Sequence, residues 1–182
     1  MKETGIVRKL DNLGRLVIPK EIRRCMRIKE GSPIEFGLLP SGEIVLCKYS
    51  LVNQISDYSS DFCEILSDLF DCIVMVGDRD KIINCNGVSK KNYLNVKFSN
   101  EILDVVDSKM CYKGCIADKT TIIPIIENDS ITYKSQLVFP ITIQGDNEGV
   151  IILCNLKNDT AFDSEHLLAL KLVSKFLSKQ LE

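Results

Sequence analysis

The sequence predicts an α+β fold in two parts, a small β-rich N-terminal unit and a larger C-terminal domain with an antiparallel sheet between helices. Three observations predict it. Short β-branched and apolar runs bounded by turn residues crowd the first fifty positions. Apolar runs of strand length fill the middle of the remainder, and amphipathic helical patterns at 51–70 and 163–182 bracket that middle.

The 182 residues, 45% of them hydrophobic, suffice for one ordinary domain or two small ones. No apolar run reaches about 18 residues, and Met1 is followed by Glu3, Arg8 and Lys9 rather than by an apolar stretch. Neither a membrane span nor a signal peptide is therefore expected, and a cytoplasmic location is. Most of the eight cysteines sit in apolar runs such as DCIVMV and VIILCN, which reads as reduced core thiols rather than a disulfide framework. Charge divides the chain: residues 1–50 hold ten Lys and Arg against six Asp and Glu, and the rest holds thirteen against nineteen. A cationic end on an acidic chain points to an anionic partner such as nucleic acid.

In the first unit, TGIVRKL predicts a strand, DNLG a turn and RLVI a second short strand. Pro19 then suits the first position of a helix, where its missing N–H has no intrahelical partner anyway, and KEIRRCM continues with Ile22, Cys25 and Met26 at helical spacing. Lys20, Arg23, Arg24 and Arg27 fall at i, i+3, i+4 and i+7, which predicts four cations on one side of a very short helix. Their mutual repulsion opposes the helix, so function rather than folding explains them. PIEFGLLP and EIVLCKYS predict a hairpin about Ser41-Gly42, completing β-β-α-β-β. A unit of about fifty residues buries little of its own surface, so pairing of two copies is expected.

The run TGIVRKLDNLGRLVIPKEIRR, with the hairpin and its CKYS exit, resembles the AbrB-type swapped-hairpin DNA-binding domain of bacterial transition-state regulators, found also in MazE-like antitoxins. That resemblance implies a swapped-hairpin β-barrel over residues 1–50, in which two chains exchange strands and present arginines to double-stranded DNA at AT-rich promoters. Arg8, Arg15, Arg23 and Arg24 match the family's DNA-contacting arginines, while Lys9, Lys20 and Arg27 are secondary candidates that the motif does not demand. Leu16, Val17 and Ile18 are assigned to the core of the pair. Guanidinium forks suit this task because they bind phosphates bidentately and reach guanine O6 and N7.

Residues 51–70 predict an amphipathic connecting helix with Ile55, Tyr58, Phe62, Ile65 and Leu69 at spacings of three and four. Two tasks stay open for it, covering a face of the next domain or joining neighbouring subunits, and a second stripe through Leu66 and Phe70 leaves room for both. Residues 71–182 then predict strands at CIVMVGD and DKIINCN around a GDRD turn, a helical turn at SKKNYLN and a helix near SNEILDVVDSKM. Strands follow at TTIIPII, KSQLVFPITI and GVIILCN, with NEG at 147–149 as the last turn. The final helix carries Leu167, Leu170, Val173, Phe176 and Leu177 on one face.

This order of elements resembles a GAF domain, a small-molecule-sensing fold. With the AbrB-type head, and with the stretches DRDKII and SKKNYLN, the whole chain resembles a family of sporulation regulators that joins the two. The resemblance implies a homotetramer of two swapped-hairpin dimers, a role late in endospore formation in the forespore, and a nucleoid-associated location. It names no effector for the tail.

Catalysis needs convergent groups, and the one histidine, His166, is read as an exposed residue at the start of the last helix. Cys111 and Cys115 form a lone C-x₃-C without a second pair or histidines, a weak metal or redox signal, although Lys109 and Lys113 could lower a nearby thiol pKa. Phosphate-loop, EF-hand and paired-acid motifs are absent, so neither an enzyme nor a cofactor is expected. The expectation is a DNA-binding transcriptional regulator whose tail senses an unidentified ligand or assembles the oligomer. The alternative is an antitoxin-like or scaffold protein whose tail binds another protein. The apolar, folded-looking tail favours the regulator, because antitoxins end in a short acidic segment that folds on the toxin.

Overall fold

Gly42, at φ 86°, reverses the chain so that Leu39 N–H donates to Glu43 C=O at 3.0 Å, and the flanking β-branched and apolar residues zip into a hairpin. Its strands are β1 (Ile34–Leu38) and β2 (Ile44–Lys48), antiparallel, with Phe36 opposite Leu46 and Leu38 opposite Ile44. The structure, a computed structural model, describes residues 5–49, 56–143 and 145–180. It comprises two compact units, Met1–Tyr49 and Ser50–Glu182.

In the first unit the turn at DNLG forms as expected, with Gly14 at φ 73° donating its N–H to Asp11 C=O at 3.0 Å. Among the described residues, the strands expected on either side of it do not form within the single chain. Their hydrogen-bonding edges need another strand, and among the described residues the hairpin's two strands pair with each other. Helix α1 is Lys20–Cys25, and Pro19 is its N-cap rather than its first helical residue, its C=O accepting Arg23 N–H at 3.0 Å. Met26 ends the helix, and Ile28 N–H returns to Arg23 C=O at 2.8 Å, a bond that closes the last turn.

The second unit begins with α2 (Ser56–Phe70), followed by β3 (Ile73–Gly77) and β4 (Ile82–Asn86). Next come the short α3 (Lys90–Tyr93), α4 (Asn100–Ser108), β5 (Tyr112–Cys115), β6 (Ser135–Ile143), β7 (Asp146–Asn155) and α5 (Ser164–Gln180). The five strands form one antiparallel sheet in the order β4-β3-β7-β6-β5. Cys63 and Leu66 of α2 and Leu170, Val173 and Leu177 of α5 pack on one face against Val74, Leu137, Ile151 and Leu153. Tyr93, Phe98, Ile102 and Val106 pack on the other against Met75, Val138, Val150 and Ile152. Cover on both faces explains why all five residues of β3 are buried and why its sequence is apolar without alternation.

Local chemistry sets the connections. Asp78 Oδ1 accepts the N–H groups of Asp80 and Lys81, each at 2.8 Å, fixing the GDRD turn. Before it, Gly77 packs so tightly that a Cβ would lie 2.3 Å from Phe98 Cζ. Ser99 caps α4 by accepting Ile102 N–H at 3.2 Å.

Three expectations for this unit are corrected. TTIIPII is not a strand: Pro124 lacks a donor, and Ile123 is held by the Gln136 side chain, which accepts its N–H at 3.2 Å and donates to its C=O at 3.0 Å. The stretch NEG lies inside β7 rather than in a turn, because Gly145 at φ 87° reverses the chain two residues earlier. CYKGC, read only for its cysteines, supplies the edge strand β5.

Candidate nucleic-acid interface

Asp11 organises the first cationic group. Its Oδ1 accepts the N–H of Leu13 at 2.9 Å and of Arg15 at 2.8 Å, while Oδ2 pairs with Arg15 Nε at 2.7 Å. These bonds, the Arg15 backbone N–H first and its side chain second, hold the Asp11 carboxyl below its ordinary pKa of 3.8. Arg15 keeps 71% of its side chain exposed, so the turn holds a guanidinium in solvent with donors still free for a partner. Arg8 and Lys9 are also exposed, and Arg8 Nη1 makes a long 3.4 Å bond to the neighbouring Val7 C=O.

Helix α1 supplies the second group. Lys20, Arg23 and Arg24 are exposed, whereas Ile22 and Met26 are half-buried. Arg23 and Arg24 occupy its last turn, where the partial negative charge of the helix end offsets part of their repulsion. Arg27 departs from the expected cationic face. The helix stops two residues before it, and Arg27 takes φ 51° and is half-buried, so the i+7 relation to Lys20 is not realised.

Apolar side chains share this unit's surface. Val7, Val17, Phe36 and Leu38 are 84%, 72%, 73% and 78% exposed, and Leu16, assigned to a core, is also exposed in the single chain. Ile18 is half-buried and Pro19 buried.

In the tail, the helix stripe read for self-association divides. Tyr58, Ile65 and Leu69 are exposed and Phe62 is half-buried, with the Phe176 ring 6.0 Å from Tyr58 and 5.4 Å from Phe62. Ile55 lies outside the described residues. The stripe that meets the sheet is instead Ser59, Cys63 and Leu66, one step round the helix. Asn84 Nδ2 donates to Ser59 Oγ at 2.5 Å there, a polar tie that apolar periodicity could not reveal.

His166 is not an exposed helix-start residue. Its ring lies 4.3 Å from that of Phe70 and 5.0 Å from that of Phe162, and Nδ1 bonds Asp163 Oδ1 at 2.7 Å. This is a packing and capping role, since Asp163 Oδ1 also accepts Glu165 N–H at 2.9 Å. Cys111 and Cys115 do not act together. The first is exposed and the second buried, its thiol donating to Asp159 C=O at 2.8 Å. Four residues of extended chain separate their Cα atoms by about 13 Å, far beyond disulfide reach. The expected lowering of the thiol pKa is also reversed, because desolvation raises Cys111 more than Lys113 and Lys171 lower it. Cys25 and Cys47 are likewise exposed, unlike the core thiols expected.

The space between the sheet and α3 and α4 is filled by Met75, Phe98, Ile102 and Tyr133. Two hydroxyls there are satisfied internally: Tyr93 donates to Asp129 Oδ1 at 2.6 Å and Tyr133 donates to Asp129 Oδ2 at 3.1 Å. Burial, with the Asp129 bond, pushes Tyr93 up to about 12, and burial, with the Tyr93 bond, pushes Tyr133 higher still, so both remain neutral donors. Among the described residues no helix is long and apolar enough to cross a membrane.

Comparison with known proteins covers the whole chain. Residues 54–182 match the family described as stage V sporulation protein T C-terminal, transcription factor, and residues 7–53 match MazE, a bacterial antitoxin of the antidote-toxin recognition type. Stage V sporulation protein T of Bacillus subtilis (strain 168) is 37% identical over 182 residues, covering 100% of this chain and 99% of that protein. The transition state regulatory protein AbrB of the same organism is 44% identical over 63 residues, 34% of this chain and 65% of that protein. The GAF domain of the Acinetobacter phosphoenolpyruvate-protein phosphotransferase superimposes with a TM-score of 0.58 at 14% identity, over 74% of this chain and 83% of that one. It shares the fold.

Proposed function

Because the chain belongs to the stage V sporulation protein T family of transcription factors, we propose that Arg8, Arg15, Arg23 and Arg24 are its DNA contacts, presented by a dimer paired through residues 1–50. Lys9, Lys20 and Arg27 are secondary contacts. The targets are AT-rich promoters used late in sporulation, in the forespore, and the protein acts in the cytoplasm on the nucleoid. Residues 51–70 connect this head to a sensing and oligomerising tail over 71–182. The chain is a regulator, not an enzyme.

One observation carries the reading: exposed arginines share a small unit with apolar side chains that its own fold leaves in water. Covering the six side chains Val7, Leu10, Leu13, Val17, Phe36 and Leu38 in each of two copies is worth on the order of 20 kcal/mol. That exceeds an association cost of about 4–15 kcal/mol. A second copy is the fitting occupant because the described segments around Val7 and Val17, strand-like in composition, form no strand within one chain. The exposed stripe of Tyr58, Ile65 and Leu69 supports a further step from dimer to tetramer. The antitoxin-like alternative is disfavoured, since the tail is a folded sheet domain rather than a segment that awaits a partner.

The test is light scattering of the full chain together with DNA titration. The expected result is a mass of two or four chains and binding that Arg15→Ala or Arg23→Ala weakens. A monomer that binds DNA with wild-type affinity in both variants would overturn the reading.

A further inference from the structure

A cavity of about 320 Å³ opens at the end of the tail's sheet where α2 passes into β3 and β7 leaves the sheet. On one side Asp71, held at φ 46°, follows the last residue of α2; on the other, Leu156, Lys157 and Asn158 follow β7. Phe70 and Ile73 line the cavity between them. Both walls are pinned by hydrogen bonds: Ser67 Oγ donates to Cys72 C=O at 2.7 Å, and Lys134 donates from its backbone N–H to Asn155 C=O at 2.7 Å and from Nζ to Lys157 C=O at 3.2 Å.

Its lining includes two exposed, opposite charges. Asp71 and Lys157 line the same cavity, yet they are not paired with each other, and among the described residues neither side chain has another ion-pair partner. Opposite, unpaired charges in the lining of one cavity complement a ligand that carries both charges. We propose that this cavity is a binding site for a free α-amino acid with an apolar side chain. Its ammonium group meets the Asp71 carboxylate, its carboxylate meets the Lys157 ammonium and the Asn158 amide, and its side chain rests on Phe70 and Ile73.

Other ligand classes fit less well. The volume lies at the small end of the range of about 300–1,000 Å³ for ligand pockets, which suits a metabolite rather than a nucleotide. Asp71 repels a polyanion, and a single carboxylate is a poor metal site. The thiols in the lining are not nucleophiles: burial, with the Asp71 charge, pushes Cys72 up to about 12, and burial pushes Cys154 up as well. Binding is therefore non-covalent. It ties the end of the connecting helix to the exit of β7, and it rests on the reading of the tail as a sensor.

The experiment uses the full chain at neutral pH, with each proteinogenic L-amino acid added singly and acetate and methylamine as half-ligands. The expected result is that at least one apolar amino acid raises Tm in proportion to the logarithm of its concentration, whereas the half-ligands do not. Calorimetric titration should show that Asp71→Asn and Lys157→Gln each weaken that amino acid at least about tenfold. Asparagine tolerates the left-handed conformation at position 71, so the fold is retained in that variant. Absence of any shift up to about 10 mM, or variants that bind as the wild type does, would overturn the site. DNA titration of the same samples separates this outcome from failure of the DNA-binding reading, since neither substitution touches residues 1–50.

Discussion

Asp11 Oδ2 lies 2.7 Å from Arg15 Nε while Asp11 Oδ1 accepts the Arg15 N–H at 2.8 Å, so one carboxylate both closes a turn and orients the guanidinium that the turn presents. The same group thus serves the fold of residues 11–15 and restrains a proposed DNA contact before DNA arrives.

Asp11→Asn and Asp11→Ala should therefore separate. Asparagine keeps an acceptor for the turn and removes a negative charge near the phosphates, so its DNA affinity at low salt should equal or exceed that of the wild type. Alanine loses the acceptor, frees the Arg15 backbone, and should bind more weakly than asparagine. Fluorescence anisotropy at two salt concentrations measures both. The pH dependence has a defined sign. With the folded pKa below 3.8, the contribution of Asp11 is fully present above that value and is lost as pH falls through the lower one. A side-chain NMR titration of Asp11 should show a midpoint below 3.8 in the wild type.

Gln136 offers a test of the tail's fold. Fully buried, it bonds both the N–H and the C=O of Ile123, in place of a strand. Gln136→Ala should lower stability by about 1–3 kcal/mol for each backbone group left without a partner, read as a lower urea midpoint at unchanged slope.

The fold was legible where several signals agreed. IVMVG and IINCN combine strand composition with an Asp-based turn, and α4 and α5 combine apolar periodicity with Ser99 and Asp163 at their starts. It was illegible where a partner outside the local window decided the outcome. The stretch around Ile123 is strand-like in composition but is bonded by a side chain thirteen residues away, while β5 is short and contains the glycine of CYKGC. The segments around Val7 and Val17 have strand composition, yet their described residues form no strand in a single chain. In the candidate interface, charge and spacing pointed to the cationic run at Lys20, Arg23 and Arg24, whereas Arg8 and Arg15 were singled out by the family resemblance. The rotation of Arg27 off the helix and the hold of Asp11 on Arg15 depend on where a helix ends and how a turn closes, which sequence spacing sets only to within a residue or two.

Leu66 and Leu69, three residues apart on α2, should answer differently to substitution. Leu66 is buried against the sheet and Leu69 is exposed. Leu66→Ala should cost about 2–5 kcal/mol of stability. Leu69→Glu should leave the urea midpoint of the tail near that of the wild type and reduce the mass of the assembly in light scattering, from four chains toward two.

The central claim is that Arg15 and Arg23 bind DNA, and the salt dependence of binding tests it most directly. Affinity for a duplex selected by the wild-type chain from a random pool would be measured by anisotropy across a range of salt concentrations for the wild type, Arg15→Ala and Arg23→Ala. Where the lost arginine contacts phosphate, the log–log slope should flatten by about 0.9 for each phosphate contact removed; where it contacts a base, affinity should fall by about 1–3 kcal/mol. Wild-type affinity and an unchanged slope in both variants would contradict the account.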